Sequence, residues 1–150
     1  MKTVLTLLLI ISSFSLYAQE NKAARQERIQ ALKVGFLTER LDLSSQEAQD
    51  FWPIYNAFDK KMEILRTNEF EALRTYRKNS ENISEEKAQE ILGTILQVQQ
   101  TRLSLKTELS KSLKHKMSTK KVLALFKAEE DFKRQLLREL RNRRGKNAKN

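Results

Sequence analysis

A chain of 150 residues with 1 Pro, 3 Gly and no Cys excludes collagen-like, flexible-linker and disulfide-framework proteins. It also excludes an all-β sandwich or barrel, which needs a turn about every eight to twelve residues, built mostly from Gly, Pro, Asn or Asp. The hydrophobic fraction of 39% suffices for one domain, and Lys and Arg outnumber Asp and Glu by 29 to 19, a net charge of +10 that resembles a nucleic-acid binder's.

Met1-Lys2 is a short positive start, and Val4 to Leu16 is an apolar run interrupted only by Thr and Ser. Small Ala18 then precedes Gln19-Glu20, giving the layout of a secretory signal peptide. The run is well short of the roughly 20 residues that span a bilayer as a helix, and no Cys is present to carry an anchoring lipid. Residues 1–18 are therefore expected to be a signal peptide cleaved after Ala18, and the mature chain to be periplasmic or secreted. Export removes the chain from the genome, so nucleic acid is not an expected partner.

From residue 22 onward the apolar residues recur at helical spacing. A first segment, about 22–41, carries Ile29, Leu32, Phe36, Leu37 and Leu41. The next starts at Ser44, with Glu47 three positions on, a capping box. Its stripe runs Ala48, Phe51, Trp52, Tyr55, Phe58, Met62, Leu65, Leu73 and Tyr76. Pro53 lies inside it, where a kink or a break is expected. Residues 78–82 read as a loop, and Ser84 caps a long helix with the stripe Ala88, Ile91, Leu92, Ile95, Val98, Leu105, Leu109 and Leu113. His115-Lys116-Met117 ends it, and Ser118 or Thr119 caps a last helix carrying Val122, Leu125, Phe126, Phe132, Leu136, Leu137 and Leu140. The apolar pattern stops at Arg141, so residues 142–150 are expected to form a basic, disordered tail behind a helical domain of residues 19–141.

The predicted fold is all-α, with about four helices and a long helical hairpin. Narrow apolar stripes on long helices rarely cover themselves, so a homodimer is expected. If the last two helices turn back at 117–118, Glu129 faces Lys106 and Lys133 faces Arg102. Those four residues form either an ion-pair network that fixes register or long side chains reaching solvent at the seam's edge.

The inventory does not support an enzyme. His115 is the single histidine, and its place at a helix C-terminus suits capping. Gly35, Gly93 and Gly145 are isolated, so no phosphate-binding loop exists. Glu85/Glu86 and Glu129/Glu130 are sequence neighbours that point apart on a helix. A transition-metal site wants several His or Cys ligands, which the chain lacks. No catalytic, metal or cofactor residues are expected. The aromatic cluster Phe51, Trp52, Tyr55 and Phe58 is either packing core or an apolar surface for clients.

Leu43-Ser44-Ser45-Gln46-Glu47, an aliphatic residue followed by a capping Ser and then Gln, resembles the LTxxQ motif of the Spy/CpxP family. Related aliphatic-Ser starts recur at Ile83-Ser84 and Met117-Ser118. Phe51-Trp52-Pro53-Ile54-Tyr55-Asn56 and Ala128-Glu129-Glu130-Asp131-Phe132-Lys133 further resemble a Bacteroidetes-type branch, often labelled sensors of extracytoplasmic-function sigma factors. The resemblance implies a cradle-like, all-α homodimer of the periplasm, acting as an ATP-independent chaperone, a stress-signalling modulator or a metal sensor.

Two functions follow as expectations: chaperone-like binding of unfolded or envelope proteins, and regulatory partnership with a membrane stress sensor. The expected client surface comprises Phe51, Trp52, Tyr55 and Phe58 with Arg138, Arg141, Arg143 and Arg144; contact of the tail with anionic lipid is a further expectation. The charge is uneven. Residues 19–110 carry 14 basic and 15 acidic side chains, whereas residues 111–150 carry 14 basic and 4 acidic.

Overall fold

The computed structural model describes residues 24–147, with side chains as far as residue 142. The expected signal peptide, residues 1–18, lies outside the described residues. The fold is all-α: α1 spans 24–41, α2 Ser45–Asn79, α3 Glu85–Leu113 and α4 Thr119–Asn147, with no strand among the described residues. The chain divides into two compact units. One is Leu43–Leu123; of the other, 24–42 and 124–147 are described.

Helix starts follow the local chemistry. Ser44 Oγ accepts from the Glu47 backbone N–H at 3.2 Å, and Glu47 Oε2 accepts from the Ser44 N–H at 2.9 Å, closing the capping box of α2. Ser84 caps α3 through the Lys87 N–H at 3.2 Å, and Ser118 caps α4 through the Lys121 N–H at 3.3 Å. Leu43, Ile83 and Met117 each occupy the position before the cap, and Ala48, Ala88 and Val122 stand five residues later, the spacing of a hydrophobic staple. Helix α1 ends at Asp42, whose φ of 44° is left-handed. Asp tolerates this conformation better than most residues and here takes the place Gly usually holds.

Two expectations are corrected. Of the kink or break expected at Pro53, the break is absent, since α2 is one continuous helix through that residue. Pro53 deprives the Gln49 carbonyl of its helical donor, but Gln49, Pro53, Asn56 and Lys60 share an exposed face, where water can serve that carbonyl. Helix α4 continues past Arg141 to Asn147, so most of the expected disordered tail is helical. Arg, Asn and Lys have fair to good helix propensity, and Gly145 costs only about 1 kcal/mol relative to Ala.

In the unit Leu43–Leu123, α2 and α3 pair antiparallel. Lys61 meets Glu108 at 3.5 Å and Glu69 meets Arg102 at 2.7 Å, so facing residues have numbers totalling about 170. The seam alternates three- and four-residue steps, Phe51, Tyr55, Phe58, Met62, Leu65, Glu69 and Ala72 on α2, and Ile91, Ile95, Val98, Arg102, Leu105 and Leu109 on α3. Its apolar core includes Phe51, Tyr55, Phe58, Ile91, Val98, Leu109 and Leu113, all buried. In the other unit, Leu37, Leu41, Leu125, Ala128 and Phe132 are buried, and the Phe36 and Phe132 rings pack 5.6 Å apart.

Candidate functional site

The aromatic cluster is core rather than client surface. Phe51 and Tyr55 are fully buried and Phe58 is 4% exposed; Trp52 alone is half-buried. The rings of Phe51 and Tyr55 stack at 5.1 Å, and Trp52 meets both edge-on, at 4.9 and 5.9 Å. Positions 51, 55 and 58 are successive seam positions, and burying such rings is among the largest apolar gains open to a helix pair. That packing removes the expected surface.

An apolar surface exists elsewhere on the same hairpin. Phe70, Leu73, Leu92, Leu96 and Leu103 are between 42% and 68% exposed. Each follows a seam residue by one position: Glu69, Ala72, Ile91, Ile95 and Arg102. One residue is a 100° rotation in the chain direction. In an antiparallel pair that rotation leads to the same side of both helices, so the five residues share one face. Lys61 and Glu108 each precede a seam residue and meet at 3.5 Å on the opposite face, which fits the same geometry. The face lies in the half of the hairpin toward the α2–α3 turn. Arg77 rests over the Phe70 ring, its Cζ 5.9 Å from the centroid. Leu73 and Tyr76, expected in the core stripe of α2, are 42% and 47% exposed. The seam takes Glu69 and Ala72 instead.

Of the four residues expected to pair in the seam, Arg102 is engaged within its own hairpin. Its Nη2 donates to Glu69 Oε2 at 2.7 Å and its Nη1 to Gln99 Oε1 at 2.9 Å, while Gln99 Nε2 donates to Glu69 Oε1 at 2.9 Å. The three side chains form a closed triangle within the α2–α3 hairpin. Lys106 belongs to the same unit, Glu129 and Lys133 to the other.

Charged groups also tie the capped ends together. Lys121 Nζ donates to Glu47 Oε2 at 2.6 Å, and Lys116 meets Asp50 at 3.5 Å. The bond from Lys121, followed by the capping bond from Ser44, holds the Glu47 carboxyl below its ordinary range. Glu86 is lowered by bonds from its own backbone N–H and Ser84. Asp59 is buried, and Arg66 reaches both it and Glu63, at 3.4 and 2.7 Å.

The second unit carries an open cleft of about 390 Å³ between α1 and α4, lined by Phe36, Arg40, Asp131, Arg134, Gln135, Arg138, Glu139 and Asn142. Arg40 lies over Phe36, 5.2 Å from the ring centroid. Arg134 and Arg138 are exposed. Asp131 accepts from Lys127 Nζ at 2.6 Å, and that bond first, with the fields of Lys127, Arg134 and Arg40, holds its carboxyl below the usual range. Arg138 and Arg141 are exposed, and Arg138 lines this cleft. Arg143 and Arg144 lie outside the residues whose side chains are described. Arg40 was not signalled by the sequence and Phe36 only as part of the first helix's apolar stripe, because their meeting with α4 depends on a long-range pairing that no local pattern encodes.

Among the described residues no group of three or more His, Cys, Asp and Glu side chains is placed to hold a metal ion. No described helix is long and apolar enough to cross a membrane. No protein-family model matches the chain, and neither a curated protein nor a solved structure does.

Proposed function

We propose that the chain is a non-enzymatic, chaperone-like protein that binds apolar segments of unfolded or envelope proteins without ATP. The observation that carries the reading is the exposed face of Phe70, Leu73, Leu92, Leu96 and Leu103 on the α2–α3 hairpin. Five large apolar side chains on one continuous face are more than the scattered exposure an ordinary surface shows. The α2–α3 pair gives them a stiff backing, and Arg77 across Phe70 sets a cation beside the apolar strip. On this reading the chain is exported after cleavage behind Ala18 and works as a homodimer. The resemblance of its aliphatic-Ser helix starts to Spy/CpxP proteins agrees with that role. Regulation of envelope-stress sigma-factor signalling is the second reading. The built cleft between α1 and α4 favours it, because one tight partner needs such a site.

The test is light scattering during aggregation of reduced α-lactalbumin, with the mature chain added at increasing ratios. Suppression is expected near equimolar protein. Leu92→Ser combined with Leu96→Ser should raise the half-effective concentration about tenfold, since covering two half-exposed leucines is worth roughly 1–2 kcal/mol. Both residues are exposed, so helicity should be unchanged. No suppression at tenfold excess, or equal suppression by the variant, would overturn the reading.

A further inference from the structure

Most acidic side chains near a cation in this chain have taken one: Glu47 with Lys121, Glu69 with Arg102, Glu71 with Arg74, Glu108 with Lys61. The cleft between α1 and α4 breaks that habit. Arg40, Arg134 and Arg138 all line it, and none makes an ion pair with a carboxylate among the described residues. Asp131 is within the field of Arg134 and Arg40 but bonds Lys127 instead, at 2.6 Å.

We infer that this cleft binds an extended acidic peptide segment, its Asp or Glu side chains on Arg40, Arg134 and Arg138 and an apolar residue against Phe36. Guanidinium presents a planar fork of donors that matches a carboxylate with two parallel bonds. The cleft is also long. Its lining on α4 runs from Asp131 to Asn142, a rise of about 16 Å at 1.5 Å per residue. An extended chain covers that length with about five residues at 3.3 Å each. Its polar lining suits a peptide: Gln135 and Asn142 can serve backbone groups. Asp131 and Glu139, interleaved with the arginines, disfavour a densely charged phosphate surface by like-charge repulsion. The excess of 14 basic over 4 acidic residues in 111–150 steers such a segment toward α4.

The inference stands at a different site from the apolar face of the α2–α3 hairpin. Its test uses the mature chain and a fluorescein-labelled six-residue peptide with three Glu alternating with Phe, Ala and Gly, followed by fluorescence anisotropy. The peptide with Gln in place of Glu should bind at least tenfold more weakly. Arg134→Gln combined with Arg138→Gln should weaken binding of the acidic peptide at least tenfold, and Arg40→Gln severalfold. Lys120→Gln, an exposed cation outside the cleft, should leave it within twofold. All these side chains are exposed, so the circular dichroism spectrum should not change. Equal binding of the Glu and Gln peptides, or unchanged binding in the double arginine variant, would overturn the inference. Phosphatidylglycerol vesicles that displace the peptide, and whose own binding needs the same arginines, would overturn it in favour of a membrane. Aggregation suppression measured on the same variants separates the two sites. A chain that binds the peptide but suppresses nothing loses only the chaperone reading.

Discussion

Replacing Arg102 by Ala tests whether the α2–α3 hairpin is held in register by its one charged seam layer. The Arg102 and Glu69 side chains are 22% and 24% exposed, closer to a buried pair than to a surface one. Exposed pairs contribute about 0–1 kcal/mol, and removing one partner of a fully buried pair costs about 3–5 kcal/mol. At this burial, and with Gln99 still donating to Glu69, Arg102→Ala should cost about 2 kcal/mol. With a urea m-value near 2 kcal/mol/M, that lowers the midpoint by about 1 M. Urea is the right denaturant because, unlike guanidinium chloride, it does not screen charge. Glu69→Met and Arg102→Met should each destabilise by a similar amount. The double variant should return close to wild type, since an apolar pair can replace a buried ionic one at little cost. The coupling energy of that cycle should therefore be about 4 kcal/mol, the two single costs less that of the double variant, and it should survive 0.5 M NaCl. A coupling below about 0.3 kcal/mol would refute the reasoning, because the two charges would then act as independent surface groups.

Three further outcomes are expected. Ser44→Ala should lower stability by about 1 kcal/mol in urea unfolding, through loss of the α2 cap. Gly93→Ala should raise it by about 0.5–1 kcal/mol in the same assay, since an added Cβ meets nothing within 4 Å in the middle of α3. The Glu47, Glu86 and Asp131 carboxyls are all held below their ordinary values of 4.5, 4.5 and 3.8. Each therefore contributes stability that is complete above the ordinary value and is lost as the pH falls through the lowered native one. Glu47→Gln should be less stable than wild type at pH 7, and the difference should shrink below about pH 4.5 in acid titrations followed by circular dichroism. A difference constant down to pH 2 would mean that the ionised carboxylate plays no part.

The helix starts were legible because each is written in contiguous residues: Ser44 with Glu47, Ser84 before Glu85-Glu86, Ser118 after the His115-Lys116-Met117 turn. The seam was half legible. A hydrophobic stripe predicts Phe51, Tyr55, Phe58, Met62 and Leu65, but at the next step it follows Leu73 rather than Glu69. The spacing itself, continued by four and then three, reaches Glu69 and Ala72. Arg102 was placed in its own helix's stripe, yet its partner depended on which helix lies opposite, and no local pattern fixes that. Pro53 misled because its cost depends on whether the freed carbonyl meets water, a property of the face it occupies. The α1–α4 cleft was not legible at all; Phe36 and Arg138 stand more than a hundred residues apart.

The Glu47 carboxylate has a consequence for motion. It closes the cap of α2 and at the same time holds Lys121, in the first turn of α4, 74 residues further along the chain. Helix ends normally fray independently, each opening at little cost because few bonds are broken. Here one carboxylate belongs to both openings. Once Glu47 lets go of Lys121, nothing but Ser44 restrains its side chain; once the α2 cap unwinds, Lys121 loses a fixed partner. Amide protons in the opening turns of α2 and α4 should therefore exchange with solvent as a linked pair, slowed together at neutral pH and released together in acid.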